Sequence, residues 1–316
     1  MQLKKFLDIF PPPKFLDLPF TGLVFSDSNI RALSLNRSSL HPELFLEMPL
    51  SEGAIEAGII KKEEEVVKVL QDLRPKLKGP FVKFAVPDEI SYVFSASVPV
   101  FPGKDASESV SFILEENVPL PLSDISFDFT PIKIERAGQG FKVKVVVTAA
   151  ASSIIETYIK ALRKAQIEPI FCVNESQSIA RSIVPKNSSG NSAIIYIHRN
   201  VVGIYMTEGE IVEFSSITQI PPNSSPDLFA SFVISEFKKS LDYWKGKVFK
   251  DKLKINCFLC GKHEECKLII DRGSDISGIS ISFGNVWQNA FSLGNYIPEI
   301  SFEDSLRFAG AVGLFV

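Results

Sequence analysis

GLVFSDSNIRALSL, residues 22–35, and AIIYIHRNVVGIYMTEGEIVEFS, residues 193–215, decide how this chain is read. The first holds two apolar runs, Gly22–Phe25 and Ile30–Leu35, around the polar turn Ser26-Asp27-Ser28-Asn29, and Leu44–Met48 supplies a third strand. The second predicts strands over Ala193–Ile197, Val201–Met206 and Glu210–Ser215, with turns at His198–Asn200 and Thr207–Gly209. Both halves therefore open on a three-stranded meander followed by helices. That repetition points to an α/β lobe present twice, a form that places ligands in the cleft between the lobes.

With 316 residues the chain can bury a core in each of two lobes. A net charge of −3 excludes a generic polyanion binder, because phosphate contacts need a basic excess; no nucleic-acid partner is expected. Four cysteines are too few for a disulfide scaffold and suit a reducing compartment. Three histidines leave little material for a histidine-built metal site or triad. No apolar run approaches the ~20 residues of a bilayer span, so a cytoplasmic location is expected. The opening MQLKKFLDIF has an apolar face and two lysines, and Pro11-Pro12-Pro13 stop any helix there, so it reads as a docking tail or a frayed end, with a membrane-surface turn as the minority reading, rather than as a signal peptide.

Between the meanders, the spacing of Val66, Val67, Val69, Leu70 and Leu73 predicts a helix over Lys61–Arg74 that stops before Pro75. Phe81–Val86 and Ile90–Val98 read as a hairpin-like pair, Ser107–Glu116 as a helix, and Ile125–Phe129 and Phe141–Thr148 as strands, with a turn at Gly138-Gln139-Gly140. Ser153–Ala165 is an amphipathic helix with a capping box formed by Ser153 and Glu156. Ile167–Cys172 reads as a buried strand, Asn174–Val184 as a helix and Lys186–Asn191 as the hinge between lobes. In the second half, Ser225 caps a long helix with Pro226 at its first position, Leu253–Leu259 is a strand, and His263–Asp271 and Ser301–Phe315 are helices.

Several of these segments together resemble the actin-like pilus-assembly proteins of the PilM family, relatives of the bacterial division protein FtsA. Residues 22–35 are similar to the family's first phosphate-loop hairpin, and VVTAAASSIIETYIKALRKA (146–165) to its strand and connecting helix. IEPIFCVNESQSIARS (167–182) is similar to its inter-lobe helix, and YIPEISFEDSLRFAGAVGL (296–314) to its C-terminal helix. The resemblance implies an α/β, actin-like (RNase H-like, duplicated) two-lobed fold with a small inserted α+β subdomain. Residues 1–19 would be a tail, 20–80 the first lobe (completed by 148–185 and the helix at 300–316), 81–147 the insertion and 190–299 the second lobe. It implies a cytoplasmic scaffold, peripheral to the inner membrane, in a type IV pilus or related secretion platform. Its partners would be the cytoplasmic tail of a PilN-like inner-membrane protein, pilus motor ATPase components and a second copy of the chain.

The actin-type cleft holds Mg-ATP through an Asp-x-Gly in each hairpin, and here the resemblance departs. Val24 and Ser26 stand at these places in the first hairpin, Tyr196 and His198 in the second, and the adenosine-side diglycine reads Cys260-Gly261. Glu175 matches an inter-lobe acidic position. One glutamate does not make a metal site, since a divalent ion needs several oxygens. The departures imply a pseudo-ATPase scaffold with no catalytic residue, and either no cofactor or weakly held ATP/Mg. If nucleotide binds, its contacts fall on Ser26, Asp27, Ser28, Asn29, Glu175, His198 and Gly261. The alternative is an actin-like ATP-binding protein whose nucleotide state regulates pilus assembly.

Other motifs carry less. Cys257, Cys260, His263 and Cys266 have soft-ligand character but run from a strand into a helix, which does not wrap a tetrahedral ion. Gly103-Lys104, Gly246-Lys247 and Gly261-Lys262 lack the upstream glycine of a phosphate loop. His41, before Pro42, has no partner evident from sequence.

Overall fold

A computed structural model describes residues 18–101, 106–138, 140–188, 190–198, 200–248, 255–272 and 279–316. The docking tail expected at residues 1–10 and its proline stop, Gln139 and Leu253 lie outside them.

The first sheet is built on β1 (Thr21–Phe25), β2 (Asn29–Leu35) and β3 (Pro42–Pro49), an antiparallel meander. A two-stranded ribbon, β4 (Ile55–Glu56) and β5 (Ile59–Ile60), leads into helix α1 (Glu63–Leu73), which a 3-10 turn extends over Arg74–Lys76. Strand β6 (Phe81–Val86) then pairs parallel to β1. The chain leaves to make β7 (Ser91–Val100), helix α2 (Ala106–Asn117), β8 (Ile125–Ala137) and β9 (Gly140–Ala151), a three-stranded sheet of order β7-β9-β8. It returns through helix α3 (Ser152–Lys164) to β10 (Glu168–Asn174), parallel to β6, and helix α4 (Glu175–Ile183).

The second sheet repeats this plan. Strands β11 (Asn191–His198), β12 (Val201–Glu208) and β13 (Ile211–Gln219) form the meander. After helix α5 (Pro226–Val248), β14 (Ile255–Gly261) pairs parallel to β11; after helix α6 (His263–Arg272), β15 (Ile279–Phe283) pairs parallel to β14. The two orders, β10-β6-β1-β2-β3 and β15-β14-β11-β12-β13, are the same order built twice.

Strand alternation sorts the side chains into three layers. In the first sheet Leu23, Phe25, Ile30 and Ala32 face α1 and α3, packing with Leu70, Tyr158 and Leu162. In the second, Ala193, Ile195, Val202 and Ile204 face α5 and α6, with Phe237, Trp244 and Ile269. The opposite faces, through Val24, Leu33, Ile194, Tyr196 and Tyr205, share one core with α4 and the C-terminal segment. A fourth cluster lies between α2 and the small sheet. Lys144 of β9 pins that sheet to the second lobe by ion pairs with Glu208 and Glu213.

The structure corrects five expectations. Phe81–Val86 does not pair with Ile90–Val98. Its run is covered on both faces, as a central parallel strand requires, and Pro87 with a 3-10 turn over Asp88–Ile90 redirects the chain into the small sheet. The capping box is absent: β9 runs directly into α3, so Ala151 is the cap residue, and the Ser152 hydroxyl bonds that of Ser126 at 2.8 Å. The strand near 167–172 is an edge, with Ile170 and Phe171 each 42% exposed. The C-terminal helix is broken into α7 (Phe302–Ser305), a 3-10 turn at Leu306–Phe308 and α8 (Ala309–Gly313). His41 does have partners, stacking on Tyr296 with 3.6 Å between ring centroids and meeting Phe291 edge-on.

The small residues of α8 are explained by its approach to α4. The Ser178 hydroxyl donates to the Gly310 carbonyl at 2.6 Å, and a Cβ on Gly313 would stand 1.7 Å from the Ser178 carbonyl oxygen. Gly313→Ala must push the two backbones apart, at a cost of at least about 1–3 kcal/mol. Its melting temperature should fall clearly, whereas Gly294→Ala, in an exposed loop with only the Ser292 hydroxyl nearby, should leave it unchanged.

Candidate functional site between the lobes

The inner face of β2 carries Arg31 in register with Leu33 and Leu35, so its guanidinium is directed into the core between the lobes, where the residue is 3% exposed. Nη1 donates to the Tyr196 hydroxyl at 3.3 Å, and that hydroxyl donates to Glu175 Oε1 at 2.9 Å. Nη2 donates to Glu47 Oε1 at 3.3 Å and has His198 Nδ1 at 3.5 Å. Arg307 Nη1 holds the other Glu47 oxygen at 2.9 Å. A polar relay thus runs from β3 through β2 to β11 of the second lobe and back to the first residue of α4.

Burial sets the protonation of the relay. It pushes the Glu175 carboxyl up to about 8; neighbouring Asp88 adds to the rise, while Arg31 and the Tyr196 hydrogen bond oppose it. The Asp88 carboxyl is also raised, chiefly by burial, against the hydrogen bonds it accepts from the Ser176 amide at 3.1 Å and Asn174 Nδ2 at 3.3 Å. Arg31 stays charged: burial acts to lower its pKa, but Tyr196, Glu47 and Glu175 together raise it above the usual arginine value.

The seven residues expected to meet a nucleotide surround two adjoining cavities. Ser26, Asp27, Glu175 and His198 line one of about 280 Å³. Ser28, Asn29, His198 and Gly261 line another of about 500 Å³. Most have structural tasks. The Ser26 hydroxyl donates to the Asn29 carbonyl at 2.9 Å and closes the hairpin, and Asn29 Nδ2 donates to Glu47 at 2.6 Å. The Asp27 carboxylate accepts the Ala57 and Gly58 amides at 3.0 and 3.2 Å, which holds the β4–β5 turn, where both residues have positive φ. Gly261 has φ +111°, and a Cβ there would lie 1.9 Å from the Ile197 carbonyl oxygen.

Arg31, Glu47, Asp88 and Arg307 were not picked out by the sequence reading. The available signal was a lone charge inside an apolar strand, Arg31 in NIRALSL, and an acidic pair, Asp88-Glu89, directly after a buried strand. Cys257 and Cys260 are fully buried in β14, and the Cys266 thiol lies 3.5 Å from the Cys260 carbonyl. Among the described residues no group of three or more His, Cys, Asp or Glu is placed to hold a metal ion.

The sequence matches no protein-family model and no curated protein. The structure is similar to that of a protein solved as the PilM–PilN type IV pilus biogenesis complex, with 16% identity, TM-score 0.75, and 94% of this chain and 98% of that one covered. The fold is actin-like. More distant likenesses are the cytoplasmic domain of EpsL, an inner-membrane component of the type II secretion system of Vibrio cholerae (9% identity, TM-score 0.47, 92% and 93% covered), and MreB5 of Spiroplasma citri bound to ADP (10% identity, TM-score 0.46, 92% and 94% covered).

This fold implies a magnesium nucleotide in the cleft, and the residues present do not fit one. Val24 is 2% exposed and packed in the shared core, and the Tyr196 hydroxyl and Arg31 are engaged with each other. Asp27, Asp88, Glu89 and Glu175 line the smaller cavity, where the described residues include no lysine or arginine to offset a polyphosphate; the larger one has Arg31, Lys262 and Arg307, but these are ion-paired with Glu47 and Glu265.

The raised Glu175 carboxyl predicts a pH dependence. The folded chain keeps that proton to about pH 8, whereas the unfolded chain releases it near the ordinary value of 4.5. Folding therefore takes up a proton between these values, and stability falls as pH rises through the window. Urea midpoints measured from pH 5 to pH 8 should decline in the wild type, and Glu175→Gln should flatten the decline.

Proposed function

We propose that this chain is an actin-like scaffold of a type IV pilus or related secretion platform, held at the inner membrane by the cytoplasmic tail of a PilN-like protein and acting without ATP hydrolysis. The single observation that carries the reading is a groove of about 400 Å³ between the first lobe and the small sheet. Phe127 and Phe129 of β8, Val146 of β9, Ile155 of α3 and Phe171 of β10 make it apolar. It lies along β10, the edge of the first sheet, whose outer N–H and C=O groups have no neighbouring strand among the described residues. An extended peptide added there gains main-chain hydrogen bonds from the edge and side-chain pockets from the apolar wall. The likeness to a PilM–PilN complex supports a tail of that kind as the occupant. No helix among the described residues is long and apolar enough to cross a membrane, which agrees with attachment through a partner.

The test is fluorescence anisotropy with labelled cytoplasmic-tail peptides of single-span inner-membrane proteins from the same genome. One peptide should bind, and Phe171→Asp should weaken it at least tenfold, about 1.4 kcal/mol. Phe112→Asp, on the outer face of α2 and 71% exposed, should not change it. Equal affinity for Phe171→Asp and wild type would remove the groove from the account.

A further inference from the structure

Two apolar cavities meet on β10. Phe171 belongs to the groove beside the small sheet, while its neighbour Ile170 lines a second cavity, of about 670 Å³, with Leu18, Phe20 and Phe315. Ile170 and Phe171 are each 42% exposed, and Leu18 is 49% exposed. Lys83 Nζ stands 4.2 Å from the Phe20 ring centroid and 5.8 Å from that of Phe171. One ammonium therefore bridges the first described residues of the chain and the wall of the groove. Stacking of Phe20 on Phe315, 4.5 Å between centroids, and the pairing of Thr21 with Val82 fix that entry point. A half-exposed apolar path thus runs from Leu18 across Ile170 to Phe171.

Residues 1–17, which precede Leu18 and lie outside the described residues, have the sequence to cover that path. Leu3, Phe6, Leu7 and Phe10 recur at the spacing of one helical face, with Lys4, Lys5 and Asp8 between them. Pro11-Pro12-Pro13 then favour an extended linker in sequence terms. Residues 11–17 reach ~22 Å at the ~3.1 Å per residue of such a linker, enough to bring Phe10 to the groove wall. A tethered apolar face meets a nearby groove at an effective concentration in the millimolar range, so even a weak contact fills it. Charge agrees: the tail has Lys4, Lys5 and Lys14 against Asp8 and Asp17, and the groove has Asp128 and Glu210 against Arg181.

We propose that the chain's own segment Leu3–Phe10 occupies the groove between the first lobe and the small sheet, as an amphipathic helix laid against Phe171. A helix covers the apolar wall without using the main-chain groups of the β10 edge. A partner strand that gains those hydrogen bonds as well displaces it. The tail is then a gate on the groove. Where it fills the groove nine-tenths of the time, an incoming peptide binds about tenfold more weakly than to the open groove. This competition rests on the function proposed above; the tail's place in the groove does not.

The experiment places photo-reactive benzoylphenylalanine at Phe6 of the full chain, irradiates a dilute sample and maps the products by mass spectrometry. A second sample carries the same group at Phe112, on the outer face of α2. The expected result is cross-linking from position 6, within one chain, to peptides that contain Phe127–Phe129 or Phe171–Val173, and none from position 112. In the anisotropy assay, the double variant Phe6→Asp, Phe10→Asp should bind the tail peptide several-fold more tightly than the wild type, a gain that loss of folding does not produce. Groove cross-links without any binding peptide would uphold the tail's place and overturn the partner reading instead. Cross-links elsewhere on the chain or between two chains would overturn the proposal, as would equal affinity of variant and wild type for a peptide that binds. So would sedimentation on anionic vesicles that depends on Phe6 and comes without groove cross-links, which assigns the tail to a membrane surface.

Discussion

A guanidinium placed where Arg31 is has to be paired, because a buried charge without partners costs several kcal/mol. Glu47 supplies the opposite charge and Tyr196 a hydrogen bond that continues to Glu175, and these come from β3, from the second lobe and from α4. The relative position of the two sheets is thereby coupled to the solvation of one charge. The cores on either side reinforce this, since Val24, Tyr196, Ile179 and Val312 belong to one cluster that spans both sheets and the C-terminal segment. In the sequence reading, the cleft of such a fold depends on aspartates that hold a metal and glycines that admit phosphates. Here Tyr196 and Arg31 take part in a polar relay between the sheets, and backbone amides engage Asp27.

The duplication was legible because it is written locally. Two meanders with polar turns can be recognised within about 25 residues each, and they supply three of the five strands in each sheet. What failed was non-local. Phe81–Val86 followed by Pro87 looks like the first arm of a hairpin, and only its pairing with β1 and β10 shows otherwise. The polar turns drew attention to Ser26, Asp27, Ser28, Asn29 and His198. Arg31 was passed over because strand alternation reads a charge as solvent-facing, whereas β2 is covered on both faces. Its meaning depended on Tyr196, 165 positions away.

The small sheet gives the chain its second concave surface. Lys144 fixes it to the second lobe, and α3 leads from it back into the first. Groove and cleft share α4, which carries Glu175 in the cleft and, less than two turns on, Gln177 and Arg181 in the groove wall.

The most direct measurement is calorimetric titration of the purified chain with Mg-ATP, repeated without magnesium and run beside the thermal stability of the same samples. The account predicts no heat and no stabilisation at several millimolar nucleotide, because Tyr196 and Arg31 are engaged in the relay and carboxyl groups line the smaller cavity. Magnesium-dependent binding with a Kd near or below about 1 mM would contradict it.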